Sequence, residues 1–181
     1  MGTCHAPMPA KLFVGMLSRD AGLFPICVER LTETYGPTDL QSEILPWEYS
    51  DYYREEMGTD LRRMFFFFER LIDPGNLPRI KLHTMQLEET LSLRSASASR
   101  RTVNLDPGYL TEAKVVLATT KDFSHRIYIG ECIYAESTLH YSKKSGSYLA
   151  VDHTYPDFRT QSCRDLFNTA RERLRAKLHG E

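Results

Sequence analysis

Arg100-Arg-Thr-Val-Asn-Leu-Asp-Pro-Gly-Tyr-Leu-Thr-Glu-Ala-Lys-Val-Val-Leu-Ala-Thr-Thr-Lys-Asp122 is the stretch whose reading decides the fold. Thr102 to Leu105 predicts a short strand, and Asp106-Pro107-Gly108 reads as a tight corner. Thr111 then caps a predicted helix that buries Ala113, Val116, Leu117 and Thr120. Polar groups crowd both ends of that unit.

Upstream, Lys11 to Ser18 is a continuous apolar run, the pattern of a strand covered on both faces. Phe24, Cys27, Val28, Leu31 and Tyr35 recur at three and four residues, which predicts a helix from near Leu23 to the stop at Gly36-Pro37. Leu40 to Pro46 alternates as a second strand. Trp47 to Asp60 is acidic and aromatic without a period and reads as a loop or short helix. Leu61 to Ile72 contains four successive phenylalanines, and their density predicts a strand packed on both faces. Asp73-Pro74 then starts a helix carrying Ile80, Thr84, Leu87 and Leu91. Leu93 to Ser99 has nothing to bury and reads as a connector.

Downstream, Arg126 to Glu131, Ile133 to Tyr141 and Ser147 to Thr154 predict strands, the last two joined by a Lys143 to Gly146 hairpin turn. Ser162-x-x-Asp165 signals a closing helix whose buried face holds Leu166, Ala170, Leu174 and Leu178. The predicted class is therefore α+β: a mixed, largely antiparallel sheet with helices mainly on one face. Its first half follows the ferredoxin-like βαββαβ order, with a helix, hairpin strands and a C-terminal helix after it. Residues 1–10 read as a loose tail and 11–181 as a single domain.

The chain has 181 residues, 41% hydrophobic and 26% charged, with a net charge of -1, which fits a globular protein that builds its own core. That balance gives no global field for nucleic acid or an anionic membrane. Basic residues flank the phenylalanine run at Arg62-Arg63. Four adjacent rings, however, occupy both faces of a strand, whereas an RNA-reading strand exposes alternate aromatics on one, so nucleic acid is disfavoured. No apolar run reaches the roughly 18 to 20 residues that span a bilayer, and the start lacks a signal-peptide pattern, so the expected compartment is the cytoplasm. Cys4, Cys27, Cys132 and Cys163 are scattered and predict free thiols. Neither a P-loop nor a dinucleotide-binding glycine fingerprint is present.

Three polar loops remain as site candidates. Asn104 to Tyr109 offers Asp106 and backbone amides at a corner. Thr119 to Arg126 concentrates Lys121, His125 and Arg126, which suit a phosphate or carboxylate. Asp152 to Arg159 adds His153, Tyr155, Asp157 and Arg159. His125, His153, Glu136, Asp106 and Asp157 include enough ligand types for a metal, but no pair has diagnostic spacing, and no metal or cofactor is assigned. The expected site is one pocket binding a small anionic ligand, a nucleotide or phosphorylated metabolite, through Asp106, Tyr109, Lys121, Arg126, Tyr155 and Arg159. If it is catalytic, as a hydrolase or transferase, His125 is the acid or base and Asp157 orients it. The rival expectation is a non-catalytic module whose protein or RNA partner docks on Trp47 to Gly58 or on the basic closing helix.

Several blocks carry a resemblance: Lys11 to Gly15, Asp51-Tyr52-Tyr53 with Glu55 to Gly58, Phe68 to Asp73, Val103 to Leu110, Leu117 to Asp122, Ser124 to Tyr128 and Thr154 to Asp157. Through them nearly the whole chain resembles an uncharacterised bacterial family known as a domain of unknown function, DUF4416. The resemblance implies no activity or cofactor.

Overall fold

A computed structural model describes residues 2–49, 54–93 and 101–180. The elements run β1 (Ala10–Ser18), α1 (Leu23–Tyr35), β2 (Thr38–Gln41), β3 (Leu45–Pro46), α2 (Arg54–Met57), β4 (Arg62–Ile72) and α3 (Leu77–Leu93). They continue with β5 (Val103–Leu110), β6 (Lys114–Thr119), β7 (Ile127–Gly130), β8 (Ile133–Ser142), β9 (Ser147–Ala150) and α4 (Gln161–His179). All nine strands join one sheet in the order β2-β4-β1-β5-β6-β8-β7, with β3 also on β4 and β9 also on β8. Every pairing is antiparallel. The protein is thus α+β. The expected connector beyond Leu93, Tyr52 and Arg100 lie outside the described residues.

The phenylalanine run shows how the sheet acquires two cores. Successive strand residues point to opposite faces, so Phe66 and Phe68 join Leu12, Val14 and Met16 beneath α1 and α3. Phe65 and Phe67 join Phe13 beneath α4, which contributes Phe167, Ala170 and Leu174. Two of the three long helices therefore share one face, and α4 closes the other. Lys11, inside the β1 run, is fully buried; its ammonium donates to Asp39 (2.6 Å) and to the Phe68 carbonyl (2.9 Å). Burial still depresses its pKa, opposed by Asp39.

The stretch read as strand, corner and helix is a β-hairpin. Asp106, Pro107 and Gly108 lie inside β5, facing Gly15, Val14 and Phe13 of β1. Gly108 is required by close approach, because a Cβ there would lie 2.4 Å from the Val116 carbonyl oxygen and 2.5 Å from the Phe13 ring. Lys114–Thr119 is a strand because its valines, flanked by β5 and β8, pack on a pleated surface. The Thr111 hydroxyl does cap, but what it caps is the hairpin turn, accepting from the Ala113 and Lys114 amides. The strand expected over Leu40 to Pro46 divides into β2 and β3, β9 ends at Ala150, and Thr160 rather than Ser162 caps α4 through the Cys163 amide. Among the described residues, no helix is long and apolar enough to cross a membrane.

Candidate functional site

The site begins where β5 and β6 part. They pair only from Gly108 to Leu110, so the first half of β5 lacks a neighbouring strand on that side. Backbone groups in a strand bond alternately to either side, and those of Leu105 face the vacant one. There α3 replaces a strand: Glu88 accepts from the Leu105 amide (2.6 Å), and Lys81 donates to its carbonyl (2.8 Å). Pro107, two residues on, faces the same side with no N–H to satisfy. An Asp-Pro-Gly sequence is compatible with strand because its proline sits at the parting.

Through this parting the charges of both faces meet. Asp106 shares a row with Gly15 and Phe65 and so points toward α4. Its carboxylate accepts from Asn104 (2.6 Å) and lies 3.4 Å from the Arg63 guanidinium, while Lys81 reaches it at 3.7 Å from the α3 side. Burial would push the Asp106 carboxyl up, but Lys81, Arg63 and Arg101, with the Asn104 bond, hold it below its ordinary value. Arg63 continues the chain to Asp157, with Nε at 3.0 Å and a terminal nitrogen at 2.8 Å. Asp157 also accepts from the Trp47 indole (3.3 Å).

The Arg63–Asp157 pair forms part of the wall of a cavity of about 400 Å³ between β3 and the first turn of α4. Leu45, Trp47, Tyr49 and Phe65 supply apolar walls, with Thr160 and Ser162 at the helix end. The Trp47 and Tyr49 rings meet edge to face at 6.1 Å. On the α3 side, Glu88 also holds Arg101 (2.5 Å).

Next to Asp106 lies a second polar knot. Glu136 on β8 is buried and accepts from Arg126 Nε at 2.7 Å, with His125 Nε2 at 3.2 Å from the same oxygen. Arg126 also donates to the Lys121 carbonyl (3.2 Å) and the Tyr155 hydroxyl (2.8 Å), and it stacks over Phe123 at 4.4 Å. Burial raises the Tyr155 pKa, opposed by Arg126 and reinforced by the Glu136 and Asp106 charges. The His125 and His153 rings stack at 4.4 Å. His153 Nε2 faces the Ser137 carbonyl, which only accepts, so that nitrogen carries the proton.

Asp106, His125, Arg126, Tyr155 and Asp157 therefore form the α4-face part of one polar band, which Lys81 and Glu88 continue through the parting to α3. Three other expected residues take different positions. Tyr109 packs with Val116, Ala118 and Ile133 on the opposite face. Lys121 reaches the band through its main-chain carbonyl, which accepts from Arg126. Arg159 secures the preceding loop through the carbonyls of Val151, Asp152 and Thr154. Among the described residues, no group of three or more His, Cys, Asp or Glu is placed to hold a metal ion. Trp47 is 7% exposed and lines the cavity. On α4, Arg171 stacks on Tyr141, and Arg175 and Lys177 pair with Glu112, Glu172 and Glu69.

The sequence reading missed Arg63, Lys81, Glu88 and Trp47 as members of the band. Lys81 and Glu88 stand seven residues apart, two helical turns on one face, and that spacing within an otherwise apolar stripe was the available signal. Nothing in the sequence marks Arg63 over Arg62.

Fold and site together define an antiparallel α+β protein with a charged band through a partly opened sheet. The chain belongs to the family described as "Domain of unknown function (DUF4416)", whose model matches residues 8–174. No curated protein and no solved structure matches it.

Proposed function

We propose that this protein binds a small anionic ligand bearing a planar ring, a nucleotide or phosphorylated metabolite, in the cavity between β3 and α4. The observation that carries the reading is the Arg63–Asp157 pair set in a cavity with aromatic walls. Asp157 and Asp106 fix the plane of the Arg63 guanidinium, whose fork geometry suits it to orient a phosphate. The positive end of a 19-residue helix opens onto the same space. Trp47, Tyr49 and Leu45 offer a ring its apolar surface. The split-βαβ reading of the first half is supported by the strand order β2-β4-β1-β5.

Trp47 is the chain's one tryptophan and lines the cavity, so its emission reports occupancy directly. Titration with nucleoside monophosphates, and with inorganic phosphate as the ring-free control, is expected to shift that emission. Arg63→Gln is expected to weaken the response. An unresponsive Trp47, or equal responses in wild type and Arg63→Gln, would refute the reading.

A second reading, a protein-interaction module, draws on the edge strand β7 and its neighbour Phe123. Phe123, Ile127 and Tyr128 are 53%, 73% and 58% exposed, and β7 carries no charge to blunt its edge. Sedimentation at rising concentration, with Ile127→Lys as control, tests self-association there; a monomer throughout excludes a partner of its own kind.

A further inference from the structure

The geometry points to a two-histidine site for a divalent metal ion of the zinc type, held by the Nδ1 atoms of His125 and His153. The two rings come from different loops, one before β7 and one after β9, and both are anchored to β8. His125 Nε2 lies 3.2 Å from the Glu136 carboxylate, and His153 Nε2 lies 3.1 Å from the Ser137 carbonyl. Both of these groups only accept, so each Nε2 carries the hydrogen and each neutral ring keeps its lone pair on Nδ1. Neither Nδ1 has a hydrogen-bond partner among the described residues.

That arrangement is the surrounding of a metal-bound histidine. A ligating imidazole gives its second N–H to a carboxylate or a main-chain carbonyl, which fixes the tautomer and makes the ligating nitrogen more basic. Here one ring has each kind of acceptor. Glu136 is itself held by Arg126 (2.7 Å) and by the Thr138 hydroxyl (3.3 Å), so the His125 anchor is fixed from behind.

The paired lone pairs also select the ion. They repel an anion, and imidazole suits zinc, copper or nickel, whereas magnesium and calcium take oxygen. Zinc–nitrogen bonds of about 2.0–2.1 Å set two neighbouring ring centres about 5 Å apart, so the 4.4 Å stack opens by less than about 1 Å. The ring planes, 21° apart, splay until the lone pairs meet, and neither residue is fully buried. No third His, Cys, Asp or Glu joins them among the described residues, so water completes the coordination and the ion exchanges freely.

Isothermal titration of the untagged full chain with zinc, and with magnesium as control, tests this. One zinc per chain is expected, with His125→Ala and His153→Ala each weakening it by at least about tenfold. Acidification is expected to weaken binding in the wild type, because imidazolium does not ligate. His140→Ala, which removes an exposed histidine elsewhere on β8, is expected to change nothing. Heteronuclear NMR of the imidazole nitrogens is expected to show zinc shifting both Nδ1 signals while both Nε2 atoms keep their protons. Absence of zinc binding, unaltered affinity in either alanine variant, equal affinity for magnesium, or coordination through Nε2 would each overturn the proposal.

Discussion

Replacing Arg126 with methionine removes the cation that holds the second polar knot together. The Arg126 side chain is 2% exposed and that of Glu136 is 1%, so the variant leaves a carboxylate out of reach of water. Breaking such a pair from one side costs about 3–5 kcal/mol. Glu136 keeps His125 at 3.2 Å and the Thr138 hydroxyl at 3.3 Å, which favours the low end of that range. Loss of the guanidinium from the Phe123 ring adds about 0.5–1 kcal/mol. Urea unfolding is therefore expected to show a loss near 3–4 kcal/mol, with Tm falling by about 6–16 °C for a chain of this size. Arg126→Met/Glu136→Gln is expected to recover most of that, because no uncompensated charge remains. A single-variant loss below about 1 kcal/mol, or a double variant no more stable than the single, would refute the reasoning.

Gly108→Ala is expected to cost about 1–3 kcal/mol, toward the upper end because the obstructing Val116 oxygen is backbone; an unchanged urea midpoint would contradict the close approach. Cys4 and Cys132 are exposed while Cys27 and Cys163 are buried, so a thiol reagent should label two cysteines natively and all four in denaturant. Burial pushes the Cys27 pKa from 9.0 to about 12, so the folded state retains a proton that the unfolded chain releases. Stability should accordingly fall as pH rises from about 9 toward 12, less so in Cys27→Ala. Asp106 has a lowered pKa, so its contribution is present above 3.8 and lost as pH falls below it. Urea midpoints between pH 6 and pH 3 should therefore fall less steeply in Asp106→Asn, and parallel curves would contradict the charged environment described.

Much of the architecture was legible because side-chain period reports burial. The β1 run, α1, β4 and α3 were each placed within a few residues from their apolar spacing alone. Lys114–Thr119 failed because six residues bracketed by Thr111 and a polar loop fit one helical face as well as a doubly paired strand. Only the partners β5 and β8, distant in order, decide between them. Asp106-Pro107-Gly108 failed for a related reason, since proline and glycine mark turns but also mark a strand that loses one neighbour and is crowded by another. The polar band was half legible. Asp106, His125, Arg126, Tyr155 and Asp157 sit in conspicuously polar stretches, whereas Arg63, Lys81 and Glu88 are single charges within apolar periods, placed by tertiary packing.

The side-chain bonds from α3 to Leu105 give this protein an internal isotope clock. Neighbouring amides of β5 that bond to β1 exchange with solvent deuterium only when the sheet itself opens. The Leu105 amide answers instead to Glu88, so it exchanges whenever α3 lifts away while the strands stay joined. The ratio of exchange rates at Leu105 and its neighbours therefore measures how often the helix leaves the sheet.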